Sequence, residues 1–527
     1  MSQRKVRFFN TTGPCNPDDH YMLPPEERLV GAQLDRYIRD KLYWVLHAPR
    51  QTGKTTFLQS WMREINGASL TDESGPIACY VTVEDCQGVN DVDAAMRTIY
   101  QDIKDFATLF QVPVPVVDEK DVKSLLRTAL IKWAELVAPR PLIVLFDEVD
   151  VLQGEPLVSF LRQLRGGFAG RGAGIFPISI ALVGMRDLKD YITAAKGGVQ
   201  VNPGSPFNVK SDSASISNFQ KEEVIKLFAQ RTAETGQQIT TEALDYVYDQ
   251  SKGQPWIVNS LFQRATMRVL HEDDTETVTI EHIREARQQM IDARETHLDA
   301  LAVRLRDPRI RQVIQTIITG EVSLSLSRSD PDVELTMDLG LVSWDTQRGF
   351  TLANPIYEEI MTRFLDAPYH DNLPPPNSWK WDKPNGTLDM DALLRNFQEF
   401  WRNNSETWEQ AADYPEAFPH LLLMAFLQRI TNGSGRIERE YAAGRGRMDL
   451  AVEYKGAWNI IEIKLLREKQ SFETVKAEGI KQILQYRERI SPQAPCYLLI
   501  FDRRPEKPGW AERLTWEDTG NVMVLGC

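Results

Sequence analysis

The chain has 527 residues, a length that allows about two to four domains, each able to bury its own core. Hydrophobic residues make up 42% of the sequence and charged residues 26%, proportions that exclude a disordered or collagen-like protein and are typical of a globular one. The formal net charge of −13 argues against a passive nucleic-acid coat, although a local basic groove stays possible because phosphate contacts are made by patches.

Cysteine usage and the N-terminus indicate the compartment. The five cysteines are scattered and form no Cys-x-x-Cys pair, so neither a zinc site nor a disulfide framework is indicated. The first residues, MSQRKVRFFN, lack the apolar segment of a signal peptide, and no apolar run approaches bilayer length. We therefore expect a cytoplasmic protein with reduced thiols and no membrane partner.

The first stretch of interest, Phe9–Leu29, is rich in Gly, Pro, Asn and Asp around His20 and Tyr21. Two interpretations are equally compatible with it. The segment could lie over the adenine base of a bound nucleotide, or it could be a surface arm without ligand contact.

The next stretch, HAPRQTGKTT, spans His47–Thr56 between an apolar segment and a run with helical spacing. A strand, a tight turn and a helix of this kind form a phosphate-binding loop, in which backbone N–H groups face an anion. Lys54 should reach the outer phosphates, and the Thr55 hydroxyl should bind Mg²⁺. Ala48 replaces the first glycine of the usual pattern, which we interpret as a tolerated variant. The predicted nucleotide-binding residues of this loop are Gln51, Thr52, Gly53, Lys54, Thr55 and Thr56.

A second motif supports this interpretation. Pro141–Glu148 is an apolar run that ends in two acids, as a buried central strand with a catalytic edge would. Asp147 can hold Mg²⁺ through water, and Glu148 can orient and deprotonate the water that attacks the nucleotide. Together the two motifs predict binding and hydrolysis of ATP with Mg²⁺.

Residues 1–215 as a whole predict a doubly wound parallel α/β domain with an N-terminal arm. A helix is predicted from about Val122 to Val137, and Arg186 either senses the γ-phosphate or merely pairs with a nearby acid. The predicted strands are Tyr43–Leu46, Ile77–Thr82, Leu142–Phe146 and Ile178–Val183.

Three further segments follow. Residues 216–298 predict a helical lid. Its Gly-Gln-Pro-Trp turn would bring Pro255 near the base and ribose, or would simply end one helix and begin the next. Residues 299–366 predict a winged helix with a hairpin around Asp345–Gly349. Its many acids favour internal packing over reading of a DNA groove. Residues 367–391, with a Pro-Pro-Pro run, predict a linker.

This ordered set of motifs resembles a bacterial and archaeal AAA-like ATPase family within the AAA+ and STAND group. The resemblance covers about Phe9–Leu365 and implies ATP and Mg²⁺ binding, a lid and a winged helix, but no particular biological task. A homo-oligomer is possible, although no arginine finger can be assigned.

The C-terminal part, residues 392–527, has a second catalytic pattern. In the predicted strand Asn459–Leu465, alternation sends Glu462 and Lys464 to one face. Asp449 begins the strand that pairs with it, so two acids can converge on Mg²⁺ or Mn²⁺, which prefer oxygen ligands. The metal would polarise a phosphoryl oxygen while Lys464 orients the attacking water. Glu416, on a preceding helix, is a further candidate acid.

The order of helix, hairpin, strand, helix and strand, with Asp449 and Glu462-x-Lys464, resembles the PD-(D/E)XK nuclease superfamily. Members of that superfamily cut DNA or, less often, RNA. The predicted fold class is therefore α/β: a P-loop sheet with a helical lid and winged helix, then a restriction-endonuclease-like domain.

The leading functional hypothesis is an ATPase-gated, metal-dependent nuclease that acts in prokaryotic defence on DNA or RNA, with DNA favoured. The alternative is a nucleotide-dependent switch or scaffold whose C-terminal domain binds nucleic acid without cutting it. A translocating motor is a third option, for which the sequence offers no specific motif.

Overall fold

The computed structural model divides the chain into two compact units, Met1–Ala293 with Asp338–Gly340 and Arg294–Met337 with Leu341–Cys527. The finer boundaries predicted at 215, 298, 366 and 391 stay predictions. The residues that the structure describes are 6–68, 74–185, 210–293, 298, 301, 303–318, 326–346, 349–370, 383–384, 386–411, 419, 422–424, 426–427, 435–441, 448–504 and 507–527.

The first unit contains a six-stranded sheet of order β1-β6-β2-β5-β4-β3. Strands β2 to β6 are parallel, and β1 pairs antiparallel with β6 at one edge. The four predicted strands are present, and each begins and ends within one residue of its predicted limits. The strands are β1 (Leu29–Val30), β2 (Tyr43–His47), β3 (Ile77–Thr82), β4 (Leu142–Asp147), β5 (Ser179–Gly184) and β6 (Lys210–Ile216).

Both faces of this sheet are covered, because strands β2 to β5 are largely apolar and their alternate residues enter different cores. In β2, Tyr43 and Val45 belong to one hydrophobic cluster while Trp44 and Leu46 belong to the other. The α/β fold class is thereby confirmed. The helices of this layer are α1 (Leu34–Arg39), α2 (Lys54–Ala68), α3 (Val92–Leu109), α4 (Leu125–Val137) and α5 (Gly154–Gly167).

A helical region follows the sheet, and the N-terminal arm is anchored to it. Phe9 of the arm is 1% exposed and packs against Phe228 and Phe262. The helices are α6 (Lys221–Thr235), α7 (Thr241–Ser251), α8 (Pro255–Gln263) and α9 (Ile280–Asp292). A π-helical turn, Arg264–Val269, continues α8.

The second unit begins with helices and a two-stranded hairpin, in which β7 pairs antiparallel with β8 as predicted. The winged-helix interpretation of this region stays a prediction. The elements are α10 (Pro308–Ile318), α11 (Pro331–Asp338), β7 (Val342–Asp345), β8 (Gly349–Leu352) and α12 (Pro355–His370).

A second six-stranded sheet, of order β13-β14-β12-β11-β10-β9, fills the rest of this unit. The three strands and the helix predicted around Glu462 are present, but α13, β13 and β14 were not predicted. The elements are α13 (Met390–Ala411), β9 (Gly435–Tyr441), β10 (Met448–Tyr454), β11 (Ala457–Leu466), α14 (Phe472–Ile490), β12 (Cys496–Asp502), α15 (Trp510–Arg513), β13 (Trp516–Asp518) and β14 (Met523–Gly526).

Candidate nucleotide and nuclease sites

The phosphate loop connects β2 to α2 at the carboxyl edge of the first sheet. Gly53 has a φ of 98°, a left-handed conformation that favours glycine at this turn. Lys54 begins α2 and is 6% exposed, and its Nζ donates to the carbonyl oxygens of Ala48, at 2.9 Å, and Pro49, at 3.0 Å. These bonds hold the ammonium group in the loop, where a nucleotide phosphate could exchange for the carbonyls as its partner.

Asp147, at the end of β4, meets the loop directly. Its Oδ2 accepts a hydrogen bond from the Thr55 hydroxyl at 2.6 Å, and its Oδ1 accepts one from the Glu148 backbone N–H at 2.9 Å. Tyr80 of β3 donates to the same Oδ2 at 3.2 Å. A carboxylate and a hydroxyl side by side are oxygen ligands of the kind that Mg²⁺ uses, so the residues fit the predicted ion.

Glu148 follows Asp147 in a left-handed backbone conformation with a φ of 55° and lines the cavity beside the loop. Burial raises the pKa of its carboxyl group to about 7, and the charges of Asp147 and Asp150 act in the same direction. A carboxyl group with its pKa near neutrality can both accept and release a proton, as a general base must.

The cavity at this edge has a volume of about 580 Å³ and is lined by the arm, the loop and the helical region. Thr56 joins two of these parts, because its Oγ1 accepts a hydrogen bond from the Cys15 backbone N–H at 3.0 Å. Pro255 also lines the cavity, and the neighbouring Trp256 donates from its indole to the Thr11 carbonyl at 2.9 Å. The arm thus lines the same cavity as the phosphate loop, and its role as a cover for the base stays a prediction.

The other predicted nucleotide residues have mixed outcomes. Thr52 caps the turn by donating from Oγ1 to the Pro49 carbonyl at 2.9 Å, and Gln51 lines the cavity. Arg186 lies outside the described residues, so its role stays a prediction. Sequence reasoning missed Tyr80 and Arg28, both of which line the cavity. The one signal for Tyr80 was a phenol inside an otherwise apolar strand.

The C-terminal site is organised by the pairing of β10 with β11. Leu450 lies opposite Ile461 in this antiparallel register. Continuing this register by one residue pair places the backbone of Asp449 opposite that of Glu462. The side chain of Asp449 and the whole of Glu416 lie outside the described residues.

Glu462 and Lys464 are each 1% exposed and form an ion pair with each other. The Lys464 ammonium group also donates to the Oε1 of Gln482 on α14. Burying two charges is tolerable when they are paired and hydrogen-bonded. The sequence predicts that a ligand or solvent receives these side chains, whereas in the structure they contact each other and Gln482.

The described residues contain no group of three or more His, Cys, Asp or Glu side chains that could hold a metal. The Glu462 carboxylate fits the predicted Mg²⁺ or Mn²⁺ as a single oxygen donor. A complete ligand set therefore depends on Asp449, and the site stays a prediction.

Residues 414–500 match the model of the PD-(D/E)XK nuclease superfamily. This segment includes Asp449, Glu462, Lys464 and Gln482. This segment is therefore similar to a PD-(D/E)XK nuclease domain. A comparison with curated protein sequences gave no significant match.

Several solved structures are similar to the chain. A Walker-type ATPase of Pyrococcus abyssi has 12% identity over 67% of this chain and 99% of its own, with a TM-score of 0.47. The ORC2 protein of Aeropyrum pernix, in its ADPNP-ADP complexes, has 14% identity over 64% of this chain and 91% of its own, with a TM-score of 0.38. The RuvB Holliday junction branch migration motor of Thermotoga maritima has 13% identity over 62% of this chain and 90% of its own, with a TM-score of 0.32.

The predicted combination, a P-loop-type parallel α/β fold followed by a nuclease-like α/β sheet, is confirmed at the level of fold. The ATPase half is identified by its parallel sheet and phosphate loop, and the nuclease half by the family match. In the described part of the chain, no helix is both long and apolar enough to cross a membrane.

Proposed function

We propose that this protein binds and hydrolyses ATP and that its nucleotide state controls a metal-dependent nuclease acting on DNA. The observation that carries the proposal is the occurrence of two separate contacts between predicted site residues in one chain. One is the Thr55–Asp147 contact at the phosphate loop, and the other is the buried Glu462–Lys464 pair inside the matched nuclease segment.

At the first site, each residue has a distinct task. Lys54 would exchange its bonds to loop carbonyls for bonds to the outer phosphates, while Thr55 and Asp147 hold Mg²⁺. Glu148 would take the proton of the attacking water, a role that suits the raised pKa of its carboxyl group. Gln51, Thr52, Gly53 and Thr56 would shape the loop around the phosphates, and Pro255 would lie near the base.

At the second site, Glu462 and Asp449 would hold Mg²⁺ or Mn²⁺, with Glu416 as a further acid. The metal, when bound, polarises the scissile phosphate and lowers the pKa of its water. Lys464 would orient that water and balance the charge of the carboxylates. Its hydrogen bond to Gln482 supports this role, because a lysine held between Gln482 and Glu462 keeps one orientation.

The biological role follows from the combination. ATP binding or turnover would switch the nuclease on or off, and a homo-oligomer is a plausible carrier of that switch. Cleavage of DNA under nucleotide control suits prokaryotic defence, where uncontrolled cleavage would damage the host. The partners would then be ATP and nucleic acid, with DNA favoured.

A cleavage panel tests the proposal. Duplex DNA, single-stranded DNA and single-stranded RNA are incubated with the protein and Mg²⁺ or Mn²⁺, with and without ATP. We expect cleavage of DNA that Glu462→Gln abolishes while ATP binding stays intact. We expect Lys54→Ala to abolish ATP binding and the effect of ATP on cleavage. If the wild-type protein binds ATP but cuts none of the substrates, the nucleotide-dependent switch or scaffold is the better description.

A further inference from the structure

Arg28 joins the phosphate loop to the strand that leads into the helical region. It is 6% exposed, at the end of a short helical turn, Pro25–Arg28. Its Nη1 donates to the Thr52 carbonyl at 3.0 Å and to the Ser217 carbonyl at 2.9 Å. One guanidinium nitrogen therefore holds together two backbone segments that are far apart in sequence, one in the phosphate loop and one just after β6.

This guanidinium group is a buried cation without a carboxylate partner. Among the residues that the structure describes, no Asp or Glu oxygen forms an ion pair with Arg28, and its Nε has no hydrogen-bond partner. The ring of Phe219 lies 4.8 Å from its Cζ. Burial lowers the pKa of Arg28 to about 10, a shift that the charge of Glu223 only partly opposes. An unpaired buried charge is unfavourable unless a ligand of opposite charge compensates it.

The position of Arg28 places that charge beside the predicted phosphates. A Cβ atom built on Gly53 would lie only 2.8 Å from its Nη2, so the guanidinium group lies against the loop at the residue before Lys54. Arg28 and Lys54 line the same cavity. The turn and first residues of α8 that approach the loop, Gly253–Asn259, contain no basic residue. Arg50 lines the cavity too but is exposed, so among the described residues that line it Arg28 and Lys54 are the two buried cations.

We propose that Arg28 is a nucleotide-binding residue, whose guanidinium group compensates the phosphate charge in addition to Lys54 and ties the loop to the following helical region. The inference rests on the proposed ATP-binding function. A nucleotide supplies the negative charge that Arg28 lacks in the protein, so binding should favour the arrangement in which the Thr52 and Ser217 carbonyls share this side chain.

The test compares Arg28→Gln, which keeps a donor and loses the charge, with Arg28→Lys, which keeps the charge. Arg171 provides a matched control, because it donates to the Lys41 carbonyl at 2.8 Å and to the Phe168 carbonyl at 3.0 Å and covers the ring of Phe168. Arg171 is not among the residues that line the cavity. Calorimetry measures the affinity of each variant for ATP, ADP and adenosine.

We expect Arg28→Gln to weaken ATP and ADP binding about tenfold or more, about 1.4 kcal/mol, with a much smaller effect on adenosine. Arg28→Lys should recover part of the loss, and Arg171→Gln should have wild-type affinities. If Arg28→Gln lost equal affinity for ATP and adenosine, Arg28 would have a purely structural role and the inference would be overturned. An unchanged affinity for ATP would overturn it as well. Absence of ATP binding by the wild-type protein would instead refute the proposed function. Thermal melting without nucleotide identifies any variant that fails to fold.

Discussion

The hydroxyl group of Tyr80 donates to the Oδ2 atom of Asp147 at 3.2 Å, across two adjacent parallel strands. The ring of Tyr80 is fixed by edge contacts with Phe106 and Phe110 of the α3 region. Burial and the neighbouring Asp147 raise the pKa of this phenol, which therefore stays a neutral donor under ordinary conditions. Tyr80 is thus built to orient the carboxylate that is predicted to hold Mg²⁺ through water.

Replacement of Tyr80 by Phe removes this donor and keeps the ring. A hydrogen bond to a charged group contributes about 1.5–3 kcal/mol, so we expect at least a tenfold higher Mg²⁺ requirement for ATP hydrolysis. ATP binding without Mg²⁺ should change little, because Lys54 and the loop are untouched. The measurement is the ATPase rate as a function of Mg²⁺ concentration.

Tyr43→Phe is the matched control for this experiment. Tyr43 is a fully buried phenol of the same sheet, and its hydroxyl donates to the Pro177 carbonyl at 3.0 Å, away from Asp147. Tyr43→Phe should lower the melting temperature and leave the Mg²⁺ dependence of the ATPase rate unchanged. The same Mg²⁺ dependence in Tyr80→Phe and wild type would remove Tyr80 from the site.

Gln482 should act on cleavage through Lys464. Replacement of Gln482 by Leu removes the acceptor of the Lys464 ammonium group and leaves the ion pair with Glu462. We expect kcat for cleavage to fall about tenfold, with KM for DNA nearly unchanged, since an interaction that orients a catalytic group acts mainly on the transition state. Gln485→Leu, at an exposed position of the same helix, is the control. A change in KM alone would point to substrate binding instead.

The Glu462–Lys464 pair also makes a prediction about stability. Removing one member leaves an unpaired buried charge, which costs about 3–5 kcal/mol, so Lys464→Met should strongly lower the free energy of unfolding. The double variant Glu462→Gln, Lys464→Met should be more stable than Lys464→Met alone, because it buries no unpaired charge. Denaturant unfolding of the wild type, Glu462→Gln, Lys464→Met and the double variant measures this coupling. Additive losses would show that the pair contributes no interaction energy.

The sequence predicted the parts of the fold that depend on local pattern. The strands Ile77–Thr82 and Leu142–Asp147 are mainly apolar runs, and the structure places both within one residue of their predicted limits. By contrast, β13 and β14 are short, with partly exposed residues in β13, and their formation depends on neighbouring strands, since β14 pairs with β12 and β13 pairs with β14. Local pattern carries no information about such pairing.

The candidate sites show the same division. Lys54, Thr55 and Asp147 belong to contiguous motifs, and the structure brings them together. Tyr80 and Arg28 depend on contacts with residues 67 and 24 positions away, respectively, which no local spacing specifies. Arg186 and Glu416 lie outside the described residues and stay predictions.

Asp102, on α3, makes the stability of the first unit depend on pH. Its side chain is 6% exposed and its Oδ2 has no hydrogen-bond partner in the described part of the chain. Burial, aided by the charges of Asp85 and Asp105, raises the pKa of this carboxyl group to about 7. The folded protein therefore holds this proton more tightly than the unfolded chain, and Asp102 destabilises the fold increasingly as pH rises from about 4 to about 7.

Asp102→Asn should remove this dependence. We expect the variant to have a higher free energy of unfolding than the wild type. This gain should be larger at pH 8 than at pH 5, by about 1–2 kcal/mol, because the wild-type carboxyl group is charged in the folded state only at the higher pH. Denaturant unfolding at both pH values measures the difference, with Asp93→Asn, at an exposed position of the same helix, as the control. A stability gain that is the same at both pH values would mean that Asp102 is ionised in the folded protein throughout this range.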